Sequence, residues 1–400
     1  MRKFLVAVSA FALMAPAAMA PVASAHEGQS IAQARKINFP KLADGRSVLA
    51  VDLHTHSVFS DGMVWPSVRV EEAKRDGLFA MAVSEHLEYQ PKAKDIPHPD
   101  RNRSYELASE AAKVTDTSTG PNKAPLMVIN GSEITKVTIE PGHINAVFIK
   151  DANKLMPPKG AKTVLDAARA QMKEANDQGA FVFWNHPFWT AQTPNGIAAL
   201  TPIHREFIEK GWLHGIEVAN AGDMSDEAFR IALDNKLTIL GTSDIHGLID
   251  WDYDFENGGH RTATLVLTKD ESATGLEAAL KAGDTVAVYK DDLIGRKENV
   301  EAVVRGTLRL EMDDALPKTT VVPVSVINDS PIDYMLENTG GEGFYDEVHV
   351  FTVKAGSTFT LLVKNVPDAS KLNLTFKALN TYVAPREHLS VNLKPVKAAK

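Results

Sequence analysis

Cysteine is absent from all 400 residues. Its absence excludes disulfides, a lipid-anchoring lipobox and any thiolate metal ligand. No block of Lys or Arg occurs, and the formal net charge is −8 with a pI near 5.9. Duplex nucleic acid is therefore not an expected partner, because neutralised phosphates supply most of that affinity. A local basic pocket for one phosphate stays open. Long apolar runs are missing too. The N-terminal one, Phe4 to Met14, is too short to span a bilayer, and small residues and prolines interrupt it from Ala15 onward.

That run has a different reading. Arg2 and Lys3 precede it, and Ala18-Met19-Ala20 or Ala23-Ser24-Ala25 offers a small-residue cleavage site. The pattern is that of an export signal over residues 1–25. Its removal takes away two positive charges and leaves about −10. With no cysteine to bridge, a periplasmic or secreted location fits, with no membrane span after cleavage.

Residues 26–47 read as a polar leader. From there strands and helices alternate. Strands are expected at Ser47–Leu53, Leu78–Val83, Leu126–Asn130, His143–Ile149, Ala180–Trp184, Gly215–Ala219, Leu237–Gly241, Thr262–Thr268 and Thr285–Tyr289. Helices are expected at Trp65–Asp76, Tyr105–Val114, Ala161–Gln178, His204–Lys210, Asp226–Asn235 and Thr274–Ala282. Parallel strands need crossover helices, so residues 48–297 argue for an α/β barrel. Beyond about residue 298 the texture changes to short β-branched segments between Gly, Pro, Asn and Asp. Val300–Leu310, Thr319–Val326, His349–Val353, Thr358–Val363 and Leu372–Leu379 read as a small antiparallel, β-sandwich-like domain over 298–400.

The first strand ends in His54-Thr55-His56, followed by Asp61 and Gly62. Side chains two apart on a strand share a face, so the two imidazoles can meet one ion. Gly62 lets the backbone turn tightly behind Asp61. Alone, a His-x-His pair is a weak signal. Further strand ends strengthen it: Ser84-Glu85-His86, Gly131-Ser132-Glu133, Asn185-His186-Pro187 and Asp244-Ile245-His246. In such barrels the C-terminal strand ends form one mouth. His143 joins them only if its strand runs back antiparallel from Glu133. The candidate ligands are thus His54, His56, Asp61, His86, Glu133, His143, His186, Asp244 and His246. One ion takes three or four protein ligands, so the set suits two or three divalent ions, of Zn, Mn or Fe type. Such ions leave the site positive and suited to an anionic phosphate ester.

These motifs resemble the PHP (polymerase and histidinol phosphatase) superfamily across roughly residues 48–295. The resemblance implies a distorted (β/α)7 TIM-like barrel, a di- or trinuclear centre and phosphoester hydrolysis. The export signal and the β domain depart from the biosynthetic and polymerase members. The chemistry to expect is in-line displacement by a metal-bridging hydroxide on a small-molecule phosphate ester. Arg103, Lys136 and Arg261 are candidate phosphate contacts by position, while Asp52, Glu85 and Glu217 could orient imidazoles. Trp184, Phe188 and Trp189 read as core or pocket wall. Amide or ester hydrolysis of the amidohydrolase kind is an alternative, although the terminal Asp-Ile-His and the lack of a strand-end Lys speak against it. A non-catalytic metal-binding module is another.

Overall fold

Fully buried apolar runs fix the first half of the chain and half-buried alternating runs the second. The computed structural model describes residues 37–113, 126–136, 140–255, 259–345 and 348–398. The expected export signal, the leader up to residue 36 and Val114 lie outside them. Among the described residues no helix is long and apolar enough to cross a membrane.

The chain runs β1 (Ser47–Asp52), α1 (Pro66–Asp76), β2 (Ala80–Val83), α2 (Arg103–Lys113), β3 (Met127–Ile134) and β4 (Ile144–Val147). It continues α3 (Val164–Asp177), β5 (Phe181–Trp184), α4 (Pro202–Glu209), β6 (Gly215–Asn220), β7 (Asp223–Met224), α5 (Asp226–Asp234) and β8 (Thr238–Thr242). Then come α6 (Ile249–Asp252), β9 (Ala263–Thr268), α7 (Ala273–Ala282), β10 (Thr285–Tyr289), β11 (Asp292–Gly295) and α8 (Lys297–Thr307). The remainder is β12 (Leu308–Met312), β13 (Val322–Asn328), β14 (Tyr334–Asn338), β15 (Val350–Val353), β16 (Thr358–Val363), β17 (Leu374–Ala384), β18 (Glu387–Leu393) and β19 (Val396–Lys397).

Local signals explain most boundaries. Pro66 opens α1 at a position that needs no amide donor, and Gly77 closes it in the left-handed region at φ 81°. Ser225 caps α5 by accepting from the Ala228 amide, as its sequence position implies. Helix α4 starts earlier than the expected His204 because Thr201 and the His204 side chain form a reciprocal cap around Pro202. His204 is therefore buried instead of lying on the surface, and burial pulls its imidazole down to about 4.

Strands β1, β2 and β3 pair in parallel, as do β5, β6 and β8. β4 runs antiparallel between β3 and β5. β9 then pairs antiparallel with β1. The result is a large mixed sheet. Strand β8 meets β9 and β10 without a ladder among the described residues. The Thr264 hydroxyl donates to the Gly241 carbonyl at 2.8 Å, and the Thr285 hydroxyl to that of Ile239 at 2.8 Å. A Cβ on Gly241 would lie 2.7 Å from the Ala263 carbonyl oxygen, so only glycine permits this approach.

One expected strand is a helix. Val300, Val303, Val304 and Thr307 are buried at helical spacing on α8, and only Leu308–Met312 is extended, as a strand of a separate four-stranded sheet. Valine's β preference hid that period. The second half otherwise forms mostly antiparallel strands, with β12 and β19 parallel and β13 alternating buried and half-buried. β17 pairs in parallel with β11, so β14, β15, β17 and β18 continue the large sheet, while β16, β13, β12 and β19 form a separate four-stranded one.

Arg261 ties three elements together. Its guanidinium pairs with Asp52 at 3.1 Å and Asp76 at 2.6 Å, all three fully buried. Removing one partner of such a cluster strands the others. Arg261→Ala is expected to cost about 3–5 kcal/mol in urea unfolding. A second prediction concerns Asp292, whose carboxyl burial and neighbouring Asp291 push up to about 6. Its folded value lies above the unfolded one of about 3.9, so ionisation in the fold is penalised and stability falls as pH rises through that window. Asp292→Asn should raise Tm at about pH 7.5 and leave it unchanged near pH 4.

Candidate metal centre

Neighbouring strand ends are stitched to one another, and the stitching sets the side chains. Asp244 N donates to the His54 carbonyl at 2.9 Å, and His56 N to that of Ile245 at 3.1 Å. His86 pairs with Glu133 as an isolated parallel bridge. Because β4 returns antiparallel, with Glu133 opposite Asn145, His143 arrives at the same end of the sheet. A Cβ on Gly62 would stand 2.7 Å from the His56 and Ser57 backbone. That glycine serves close approach of the Asp61 turn to the first strand end.

All nine expected ligands converge. They fall into four overlapping groups, with the ligand atoms of each group within 4.8 Å of one another: His56, Asp61, His86 and His246; His54, His186 and Asp244; His54, His56 and Glu133; His86, Glu133 and His143. His54 Nε2 and His56 Nε2 stand 3.0 Å apart, each 3.1 Å from Asp244 Oδ1. Ring nitrogens aimed at one point repel unless a proton or cation lies among them. Glu133 Oε2, Asp244 Oδ1 and His143 Nε2 are buried with no hydrogen-bond partner among the described residues. Oxygen and imidazole donors with orphaned atoms fit a divalent ion.

Charge follows the same geometry. Burial raises the carboxyls of Asp61, Glu133 and Asp244, yet the surrounding imidazoles hold all three well below the usual carboxylate range. Burial, with His246 and His86 alongside, lowers the His56 imidazole to about 3. His86 is buried as well, but Glu133 and Asp61 lift it to about 10.

The outer ring nitrogens have protein partners. His54 Nδ1 lies 2.8 Å from Glu217, which also accepts from the Thr242 hydroxyl and the His186 amide. His56 Nδ1 faces the Ser60 hydroxyl at 3.3 Å, and that hydroxyl donates to Glu85. Glu85 thus acts one group removed from the imidazole. Asp52 touches no imidazole; it accepts from the Ser243 hydroxyl at 2.5 Å and from Arg261.

Sequence reasoning missed two positioning residues. Gln192 lies 2.8 Å from His186 Nδ1 and accepts from the His143 amide at 2.7 Å. Arg69, 2% exposed, donates to the carbonyls of His56 at 2.8 Å and Gly247 at 2.5 Å, joining the first and last ligand loops. An Arg and a Glu at i, i+3 on the sheet-facing side of α1 was the available signal. Two candidate ligand positions, His186 at φ 26° and Asp244 at φ 49°, have left-handed backbone, which costs about 1–3 kcal/mol each where held.

A cavity of about 430 Å³ opens over the cluster, lined by Asp61, His86, His143, His186, Asp244 and His246. Phe188 and Trp189 form one wall. Trp184 is buried instead, stacked 3.8 Å from His204. None of the three expected cations lines the cavity. Arg103 is exposed and paired with Glu106, Lys136 is bonded to Glu88, and Arg261 is sealed in its buried cluster.

A solved two-domain protein from Bacteroides vulgatus ATCC 8482, described as containing a predicted PHP-like metal-dependent phosphoesterase, is 36% identical. The likeness covers 90% of this chain and 98% of that one, with a TM-score of 0.79. The chain belongs to this PHP-like family. PsfC from Pseudomonas syringae PB-5123 is 17% identical, covering 65% of this chain and 96% of its own at a TM-score of 0.40. Residues 308–394 match an Ig-like domain family, in line with the extra β region. No curated protein matches the chain.

In this PHP-like chain Glu217 offers a test of the outer contacts. Glu217→Gln is expected to weaken retention of bound Zn or Mn about 10–100-fold in competition with a chelator. Unchanged retention would mean that Glu217 serves folding alone.

Proposed function

We propose that the protein is a metal-dependent phosphoric ester hydrolase using two or three divalent ions, of Zn, Mn or Fe type. His54, His56, Asp61, His86, Glu133, His143, His186, Asp244 and His246 are read as the ligands. The observation that carries the proposal is the convergence of these nine side chains into overlapping groups, with Glu133 shared between two. The strands are read as the distorted seven-stranded barrel of the family, with the ligands at its mouth. We also place the protein in the periplasm or outside the cell, on the strength of residues 1–25 alone.

Bound ions would supply Lewis acidity toward the phosphoryl oxygens and ease deprotonation of water near neutral pH. The chain's own residues prepare that chemistry. Glu217 holds the proton-bearing Nδ1 of His54, which leaves Nε2 free to face the centre. Glu85, through Ser60, does the same for His56. Gln192 keeps His143 and His186 in register with each other. Phe188 and Trp189 keep bulk water from one side of the cavity. In the reaction so read, water supplies the new P–O bond, the ester P–O bond breaks, and the leaving alkoxide takes up a proton.

Purified protein treated with chelator should lose hydrolysis of p-nitrophenyl phosphate and regain it on adding Mn or Zn. Full activity in metal-free protein would sink the proposal. Hydrolysis of an amide panel in place of phosphate esters would transfer the site to the amidohydrolase class.

A further inference from the structure

The cavity over the candidate centre continues beyond it. Phe188 and Asp223 line both that cavity and a neighbouring one of about 560 Å³. Asp226, Glu227 and Arg386 line the second and also a third of about 620 Å³. Three adjoining cavities thus make up a trench from the imidazoles past the start of α5 to the turn between β17 and β18. Arg386 sits in that turn, within the segment that matches the Ig-like domain. Its Nε donates to Asp226 at 3.0 Å, while its side chain stays 90% exposed. The other guanidinium N–H groups are therefore open to a ligand.

The chemistry of the trench narrows its occupant. Arg386 is joined by Arg205 and Arg230, and these three cations stand among four acids, Asp223, Asp226, Glu227 and Asp234. A surface so balanced releases no counter-ions and does not fit a nucleic-acid strand. Carboxylates interleaved with guanidinium groups do fit adjacent hydroxyls, which donate and accept at once. At the metal end, Trp189 is 41% exposed and, with Phe188, offers a flat apolar face. Such a face suits the C–H side of a sugar ring.

Resting on the phosphoester reading above, we propose that the substrate is a phosphorylated saccharide of more than one ring. Its phosphate lies at the metal centre and its distal sugar lies in the trench against Arg386 and Arg230. The C-terminal β region is thereby part of the substrate site, and Arg386 is a specificity residue.

The test uses the full-length, metal-loaded protein. Values of kcat/KM are measured for trehalose 6-phosphate, sucrose 6-phosphate, glucose 6-phosphate and the dinucleotide pTpT. They are compared among the parent, Arg386→Asn and Arg230→Ala; Asn tolerates the φ of 63° at position 386. The parent should prefer a disaccharide phosphate over glucose 6-phosphate. Either variant should cut that preference about tenfold, through KM, as expected for one lost charge-assisted hydrogen bond. An unchanged ratio in both variants, or preference for pTpT, overturns the proposal. Calorimetric titration with maltotriose separates the two readings. Binding that depends on Arg386 without hydrolysis of any phosphate ester overturns the phosphoesterase reading and retains the saccharide trench. No binding together with no disaccharide preference overturns the trench.

Discussion

The crowding of three carboxylates and six imidazoles, six of the nine buried and Asp61, Asp244 and His246 half-buried, is the constraint on which the rest of the structure depends. Ionised groups withdrawn from water must be paired, and here the partners are chiefly each other. Mutual pairing alone leaves Glu133 Oε2, Asp244 Oδ1 and His143 Nε2 unsatisfied. A polypeptide pays for that arrangement only where something else completes it. The strained backbone at His186 and Asp244 points the same way, because left-handed geometry persists only where the surroundings over-determine it.

Two buried arginines supply much of that determination. Arg69 grips the carbonyls of His56 and Gly247, which joins the end of the first strand to the segment that follows His246. Arg261 does the equivalent beneath the sheet, holding the end of β1 to the end of α1 through Asp52 and Asp76. Neither cation reaches the cavity. Their charge is used to fix geometry, and among the described residues no lysine or arginine lines the cavity.

Much of the site was legible in the sequence because its ligands follow strands, and strand ends announce themselves as apolar runs meeting His, Asp or Glu. His54-Thr55-His56 and Asp244-Ile245-His246 carry the period of two openly. His143 was conditional on chain direction, which only the β3–β4 pairing decides. Arg261 was misplaced because a lone Arg before a strand looks the same whether it faces a ligand or two buried carboxylates. Gln192 was missed for a related reason: its partners lie in a loop without period, so spacing holds no trace of them. In the second half, the valines of α8 concealed a helix because their type argued for strand while their spacing argued for helix. Spacing was the better witness.

The parallel pairing of β11 with β17 has a consequence for how the chain can be divided. β11 has β10 on one side and β17 on the other, so its backbone amides are engaged along both margins. A chain cut after residue 297, where the texture of the sequence changes, would keep β10 and lose β17. β11 would then present an unpaired margin of N–H and C=O groups next to apolar Leu293 and Ile294, a template for sticking to other copies. One sheet thus has strands on both sides of the position where the composition changes.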